Sequence, residues 1–429
     1  MKIIKLKNLS KTGYEKLLKR SCNNYDPIIS TVQKIINGVK ENGDTTLLQL
    51  GKKFYGPNYN SIKVTSQEIL DAYKNVDKNF IKAIKQVIKN VSSINFSQLP
   101  SKKCPVVSPK KGIKVWREWR PIEKIGLYIP GGNAVYPSSV IMAGIPAKIA
   151  GCPNIILCSP PQKNGTIPAP TLVAADLIGI KNIYKVGGSE AIAAMTYGTK
   201  TIDNVYKIFG AGNSYVTIAK ILVQKLIAID MPAGPSEVFI IADETANPAF
   251  IAADLLADGE HGTDSACVLI TTSNKIANEV NDEINKQVKN LSTKFRVEKS
   301  LEKYGFIALV NSLSEAIEFS NQYAPEHLEI MVKNPQNLVK KITNAGSVFL
   351  GDWTTKSSGD YATGANHILP TSGYAKMYPP LGVDAFGKWM QVQECTKPGL
   401  NKIKKTIETM AEVENLPAHK YSCQIRFKN

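Results

Sequence analysis

Four histidines are all the imidazole the chain offers, at positions 261, 327, 367 and 419 of 429 residues. Each keeps acidic company. Glu260 precedes His261, Glu326 precedes His327, Asp360 lies seven residues before His367, and Glu414 lies five before His419. A single histidine is more often a surface or core residue than a ligand. Four of four beside carboxylates, in runs rich in Gly and Pro, point to a metal or acid–base site. Asp258 and His261 are three apart at the end of the apolar-periodic PAFIAADLLADGEH, so one helix face can present both. Asp360 sits in the loop-like SSGDYATGANH, which can aim a carboxylate inward, and His419 follows LPA near the tail. Two imidazoles and two carboxylates suit Zn²⁺. HExxH is missing, so a zinc-protease helix is not indicated. Glu326 and His327 precede the strand-like LEIMV, and neighbours in extended backbone point to opposite sides. That favours acid–base chemistry over shared ligation, with a raised-pKa Glu and a His near neutrality. The residues alone give a metal-assisted enzyme, with oxidoreductase and hydrolase both open.

Three glycine clusters can cradle a phosphate on backbone N–H groups: Gly131–Gly132, Gly187–Gly188 and the run Gly210–Ala211–Gly212–Asn213. None is a full dinucleotide fingerprint, because GAGNSY lacks the third glycine. Singly each is a tight turn; together they make a nucleotide site reasonable.

The elements that must position these groups follow from periodicity. From Pro27 to about Gln98 apolar residues recur at three and four, which predicts helices, with Gly51 and FYGPNYN marking a loop between them. From about Ile122, short apolar runs alternate with Gly-rich turns and helical segments: IGLYIPGG, NIILCS, NIYKVGG and VYKIFGAGNSY. A second set, EVFIIAD, ACVLITT, FIALV, HLEIMV and GSVFLG, runs from Val238 to about Pro370. This alternation predicts parallel-sheet α/β units. Residues 398–418 read as one helix leading to a final short strand.

Composition narrows the class. The net charge of +17 resembles a nucleic-acid or membrane binder, yet only five of 53 basic residues are Arg. Nucleic-acid readers favour Arg for its bidentate fork, and evenly spread Lys looks like composition bias. A Lys-rich anion or nucleic-acid binder is therefore the minor alternative. The start MKIIKLKNLSK carries no apolar run of signal-peptide length, and no stretch approaches the roughly 20 apolar residues of a spanning helix. Seven Cys, odd in number and without a CxxC pair, argue against a disulfide framework. The expectation is a cytoplasmic enzyme with no membrane or nucleic-acid partner.

With these motifs in hand, the chain resembles the histidinol dehydrogenase family. The resemblance is carried from residue 126 to 420 by GLYIPGGNAVYPSSV, PAKIAGCPN, VGGSEAIAAMTYGT, KIFGAGNSYVTIAK, IDMPAGPSEV, EHGTDS, YAPEHLEI, GDYATGANHILPTSG and AEVENLPAHK. It implies an α/β fold of two Rossmann-like parallel-sheet domains with a helical N-terminal region and small terminal arms. The implied map is an N-terminal arm (1–25), a first Rossmann-like domain (26–125 and 238–380), a second with the cofactor turns (126–237), and a C-terminal dimerisation tail (381–429). It implies a homodimer with shared active sites, one Zn²⁺ per subunit, and NAD-linked four-electron oxidation of L-histidinol through L-histidinal to L-histidine. On that pattern His327 takes the alcohol proton and Glu326 activates the hydrating water. Zinc falls to Asp258, His261, Asp360 and His419. On the same resemblance these four also meet the substrate, with Ser236, His327, His367 and Glu414, the shared active sites implying that the last comes from the partner chain. NAD falls to Tyr128, Glu190 and Asn213.

Four positions depart from the family pattern: Asp258 and Glu190 stand for Gln, Ala211 for Pro, and Lys356 for Glu before GDY. Asp258 is a methylene shorter than Gln and adds a charge, so two carboxylates and two neutral imidazoles would neutralise the metal. The expectation is an active enzyme with altered metal or cofactor affinity. The alternatives are a paralogue oxidising another amino alcohol and a degenerate histidinol-binding protein without turnover.

Overall fold

The computed structural model describes residues 1–20, 26–131 and 134–428. Gly132, from the first glycine pair, and residues 21–25, the end of the expected arm, lie outside the described residues. Two strands precede the α/β sets, β1 (Lys2–Lys5) and β2 (Ile113–Pro121). The first set holds β3 (Lys124–Tyr128), β4 (Asn154–Cys158), β5 (Asn182–Tyr184), β6 (Lys207–Phe209) and β7 (Ala228–Ile229). The second holds β8 (Glu237–Ala242), β9 (Ala266–Thr271), β10 (Phe306–Leu309), β11 (His327–Met331) and β12 (Ser347–Leu350), and β13 (Gly387–Cys395) follows.

Both sets form parallel sheets of the same winding. The first has the order β5-β4-β3-β6-β7, and the second β10-β9-β8-β11-β12 with β1 added beside β10. Each reverses direction between its first and fourth strands, which is the switch point where open α/β sheets leave a crevice. Strands covered on both faces need continuous apolar runs, and every residue of EVFIIA and ACVLIT is buried. Every apolar run read as a strand from IGLYIPGG to GSVFLG is one.

Three sequence expectations are corrected. The helical region packs on the other sheet: Val32, Ile36 and Val39 join one core of the β3–β7 unit, and Ile84 and Val91 join the other. Residues 26–98 therefore belong with 126–237, because their apolar faces cover that sheet. Gly51 lies inside the helix Asp44–Tyr55 rather than at its end. A Cβ there would come within 2.1 Å of the Tyr59 ring, so the glycine serves close packing. The chain breaks at Gly43, where φ is 51°, and at Gly56 within FYGPNYN, where φ is 109° and the expected loop does lie. The tail is two helices, Lys397–Val413 and Pro417–Gln424, ending in a 3-10 turn, Ile425–Phe427, rather than one helix and a strand. Asn415, at φ 58°, turns the chain, and Pro417 opens the second helix.

The remaining strands are β2 and β13, an antiparallel pair from Ile113↔Cys395 to Pro121↔Gly387. Among the described residues, no helix is long and apolar enough to cross a membrane.

Candidate active site

A cleft of about 620 Å³ opens between the two sheets. One wall is the carboxyl edge of the first sheet: Tyr128 ends β3, and Gly210, Gly212 and Asn213 follow β6. The opposite wall is the amino edge of the second: Ser236 precedes β8, while Glu326 and His327 stand at the start of β11. His261, Lys356, Asp360 and His367 close the cleft.

The start of β11 is braced against β8. Glu237 N–H donates to Glu326 Oε2 at 2.8 Å, and Glu326 N–H returns to Glu237 Oε2 at 3.4 Å. Glu237 is in turn held by Arg20, whose Nε lies 3.1 Å from Oε1, and by the Ser372 N–H at 2.7 Å. His327 Nδ1 lies 2.9 Å from the Glu237 carbonyl oxygen. A carbonyl only accepts, so Nδ1 carries the proton and Nε2 keeps the lone pair. Nε2 is buried without a hydrogen-bond partner, 3.8 Å from Asp360 Oδ1. Burial, reinforced by the Lys356 charge, brings the His327 pKa down to about 4, below the near-neutral value expected from sequence. The ring is therefore neutral across physiological pH. Burial and the nearby Asp258 raise the Glu326 carboxyl well above its ordinary range, as expected for an acid–base glutamate. The two side chains do not diverge: Glu326 Oε2 lies 3.5 Å from His327 Nδ1.

Asp360 sits in a helix, Lys356–Tyr361, and not in a loop. Thr355 caps it by accepting the Ser358 N–H at 3.1 Å. One helical turn puts Lys356 beside Asp360, with Nζ 2.9 Å from Oδ2. The same Nζ lies 3.0 Å from Asp258 Oδ1 and 2.8 Å from His261 Nε2. Burial works against the ammonium, but Asp258 and Asp360 outweigh it and hold the Lys356 pKa above its ordinary value. Burial likewise opposes ionisation of Asp360, and Lys356 overcomes it and lowers that pKa. His367 is placed by Nδ1, 3.1 Å from the Asp360 carbonyl oxygen, and by Nε2, 3.0 Å from Ser139 Oγ.

Three of the four residues expected to hold zinc thus converge, but on an ammonium. His419, like Glu414, is exposed on the tail and does not line the cleft of its own chain. Zinc–ligand bonds measure about 2.0–2.2 Å, so an ion bonded to Asp258, His261 and Asp360 together would need the place of Lys356 Nζ. The residues as they stand do not fit the metal.

The other end of the cleft does fit a dinucleotide. Asn213 caps the helix Ser214–Val223 by accepting the Tyr215 and Val216 N–H groups, and that helix N-terminus lies at the cleft wall. Gly210 has φ 117°, and a Cβ on it would come within 2.0 Å of the Tyr128 carbonyl oxygen. Only glycine lets the turn lie this close to β3. Tyr128 accepts the Gly188 N–H at 3.1 Å, linking the second glycine pair to the wall. Glu190 stands apart from the cleft lining, buried, with the Tyr55 hydroxyl 3.4 Å from Oε1. Burial raises its carboxyl to about 7, so it is largely protonated below neutrality and offers a donor and an acceptor, as Gln does.

Sequence reasoning noticed Lys356 as a departure but did not place it in the site; its spacing of four from Asp360 was the available clue. Arg20, one of only five arginines, and Ser139 within YPSSV were passed over.

The histidinol dehydrogenase family model matches residues 18–427. The chain is 45% identical over 428 residues to a histidinol dehydrogenase of Methanocaldococcus jannaschii, covering 100% of this chain and 99% of that one. It is 46% identical over 428 residues to one of Bacteroides thetaiotaomicron, with 99% of each covered. The crystal structure of histidinol dehydrogenase from Elizabethkingia anophelis superposes with a TM-score of 0.94 at 44% identity, over 99% of this chain and 98% of that one. The winding of the sheets, the braced Glu–His pair and these matches agree: the chain belongs to the histidinol dehydrogenase family and is an oxidoreductase of histidine biosynthesis.

Proposed function

We propose that the protein oxidises L-histidinol through L-histidinal to L-histidine in the cytoplasm, passing two hydrides in turn to NAD. The observation that carries this reading is His327: a buried, neutral imidazole with Nδ1 held by a carbonyl and Nε2 left open. When bound, NAD supplies the hydride acceptor in both rounds. His327 Nε2 takes the hydroxyl proton as the carbinol C–H leaves as hydride. Glu326 takes a proton from the water that adds to the aldehyde carbon, and His327 serves again when the hydrate is oxidised. Ser236 and His367 line the cleft together with the pair and orient the substrate. Tyr128, Asn213 and the glycine turn hold the cofactor, with Glu190 in the first turn of the helix whose Gly188 N–H Tyr128 accepts. His261 and Asp360 line the cleft and meet the substrate, whereas Asp258, fully buried and outside the cleft lining, acts on it only through Lys356.

In this reading a second subunit completes the site with Glu414 and His419. Support comes from the tail, where Met410, Val413, Leu416, Tyr421 and Ile425 are exposed apolar side chains, together a face suited to burial between subunits. A second cavity reaches His261, Lys356 and Asp360 from another side, between Val87, Val135 and Arg296, and leaves room for an incoming segment.

The test is NADH absorbance with L-histidinol, combined with chromatography of the product; two NADH per histidine are expected. Tight histidinol binding without NADH would make the protein a binder, and equal turnover of an amino alcohol lacking the imidazole would make it a paralogue of different specificity.

A further inference from the structure

We propose that the Lys356 ammonium is the resident cation of this site, standing where a divalent metal would stand, and that the protein works without one. The lysine side chain is 2% exposed, and its tip meets three acceptors contributed by two stretches of chain. These are Asp258 at the end of the helix Pro248–Gly259, His261 in the turn after it, and Asp360 on the lysine's own helix. The separations of 2.8 to 3.0 Å are hydrogen-bond and ion-pair lengths for an ammonium, longer than any zinc–oxygen or zinc–nitrogen bond. An ammonium has three N–H groups and no acceptor; here it hydrogen-bonds to His261 Nε2 and pairs by charge with Asp258 and Asp360.

Charge leads to the same conclusion. Asp258 is fully buried, and Asp360 nearly so. Two carboxylates so placed need a counter-charge, and the lysine provides it from within the chain. Adding a divalent ion beside a fixed ammonium would set like charges within a few ångströms of each other in a buried site, where screening is weak. Asp258 and Lys356 are two of the departures from the family pattern, and they touch. One supplies a charge that the other neutralises, as expected if the pair took over from a metal together. Asp360 Oδ1, on the side of His327 Nε2, remains free to accept from a substrate ammonium. Substrate is then oriented by acceptors rather than by a Lewis acid. Only this last step rests on the histidinol reading.

The test uses the full-length protein purified from zinc-supplemented culture and dialysed. Metal is counted by inductively coupled plasma mass spectrometry, and Tm is measured with excess EDTA and with added zinc chloride. The expected result is zinc far below one ion per chain and a Tm unmoved by either addition, because only a bound ion shifts stability by mass action. Retention of about one zinc per chain, stripped by EDTA with a fall in Tm, would overturn the proposal. The double variant Asp258→Gln with Lys356→Glu should gain about one zinc per chain. If it is folded by circular dichroism and still binds none, the lysine is not what excludes the metal, and the proposal fails. If it does not fold, the wild-type metal count decides. NADH formation insensitive to EDTA is expected alongside. Inactivity in a zinc-free protein would count against the histidinol reading and leave the cation assignment standing.

Discussion

His327 shows how one imidazole is prepared for its task. Its Nδ1 faces the Glu237 carbonyl, which fixes the tautomer, and burial keeps the ring neutral. Replacing it by Asn preserves an amide donor towards that carbonyl but removes the lone pair aimed into the cleft. We predict that His327→Asn lowers kcat by about 10² to 10⁴, the usual worth of a general base, with little change in the KM for histidinol. A comparable rise in KM with kcat intact, measured by steady-state NADH formation, would make the ring a binding group instead. Glu190 carries a prediction about pH. Its carboxyl is raised by burial from 4.5 to about 7, so the folded protein binds a proton there that the unfolded chain has already lost. Stability from this group is full below about 4.5, falls as pH climbs through about 7, and is absent above it. Glu190→Gln has no such loss. The variant should match the wild type in urea melts near pH 4.5 and exceed it at pH 8 by up to about 3 kcal/mol. An equal difference at both values would mean that titration of Glu190 is not the cause.

Glycine turns need elements to hold them. The turn after β6 is clamped by the buried pair of Lys220 and Asp230. Lys220 Nζ donates to the Gly210 and Met231 carbonyls, each at 2.8 Å, and Asp230 accepts the Gly210 N–H at 2.7 Å. Lys220→Met leaves Asp230 buried and uncompensated, at a cost of about 3–5 kcal/mol. We predict a correspondingly lower midpoint in urea and weaker NAD binding by calorimetry, with histidinol binding unchanged. Loss of stability without loss of NAD affinity would separate the clamp from the cofactor turn. Nothing in the local sequence announces this clamp, because Lys220 and Asp230 meet only after the helix Ser214–Val223 folds back on β6. The same limit explains the other gaps. Strands buried on both faces were legible from their continuous apolar runs. β2 and β13 were not, since the burial of IKVWREWRP is mixed and GKWMQVQEC is largely exposed, with partners more than 260 residues apart. The closeness of Asp258 and His261 was legible from their spacing of three, although His261 falls in the turn beyond the helix. The strand alternation that separates Glu326 from His327 did not show that their side chains come within 3.5 Å. The cage around Lys356 was not legible, because it needs the six-residue helix that sequence read as a loop.

At the scale of the whole molecule, the question is whether one chain owns its site. Glu414, at the C-terminal cap of the first tail helix, and His419, on the second, are exposed and outside the cleft that holds His327. Met410, Val413 and Tyr421 of the tail are exposed apolar side chains, and in the proposed dimer a two-fold partner would cover them and bring each tail to the other's cleft. This arrangement is open to a complementation test. His327→Asn and Glu414→Gln are each expected to be inactive as homodimers. In a mixed dimer with crossed tails, one site combines both defects, and the other combines the intact His327 of one chain with the intact Glu414 of its partner. Random pairing on co-expression makes about half the dimers mixed, each with one working site, so about a quarter of wild-type activity should return. Chains that build their sites alone would return none. The assay is NADH formation by the whole co-expressed mixture, and mixed dimers isolated through two different affinity tags should reach about half of wild-type activity. Retention on both tags shows that both chains are present, and analytical ultracentrifugation shows that they form a dimer. Activity near background in a verified mixed dimer would place Glu414 outside the partner's site.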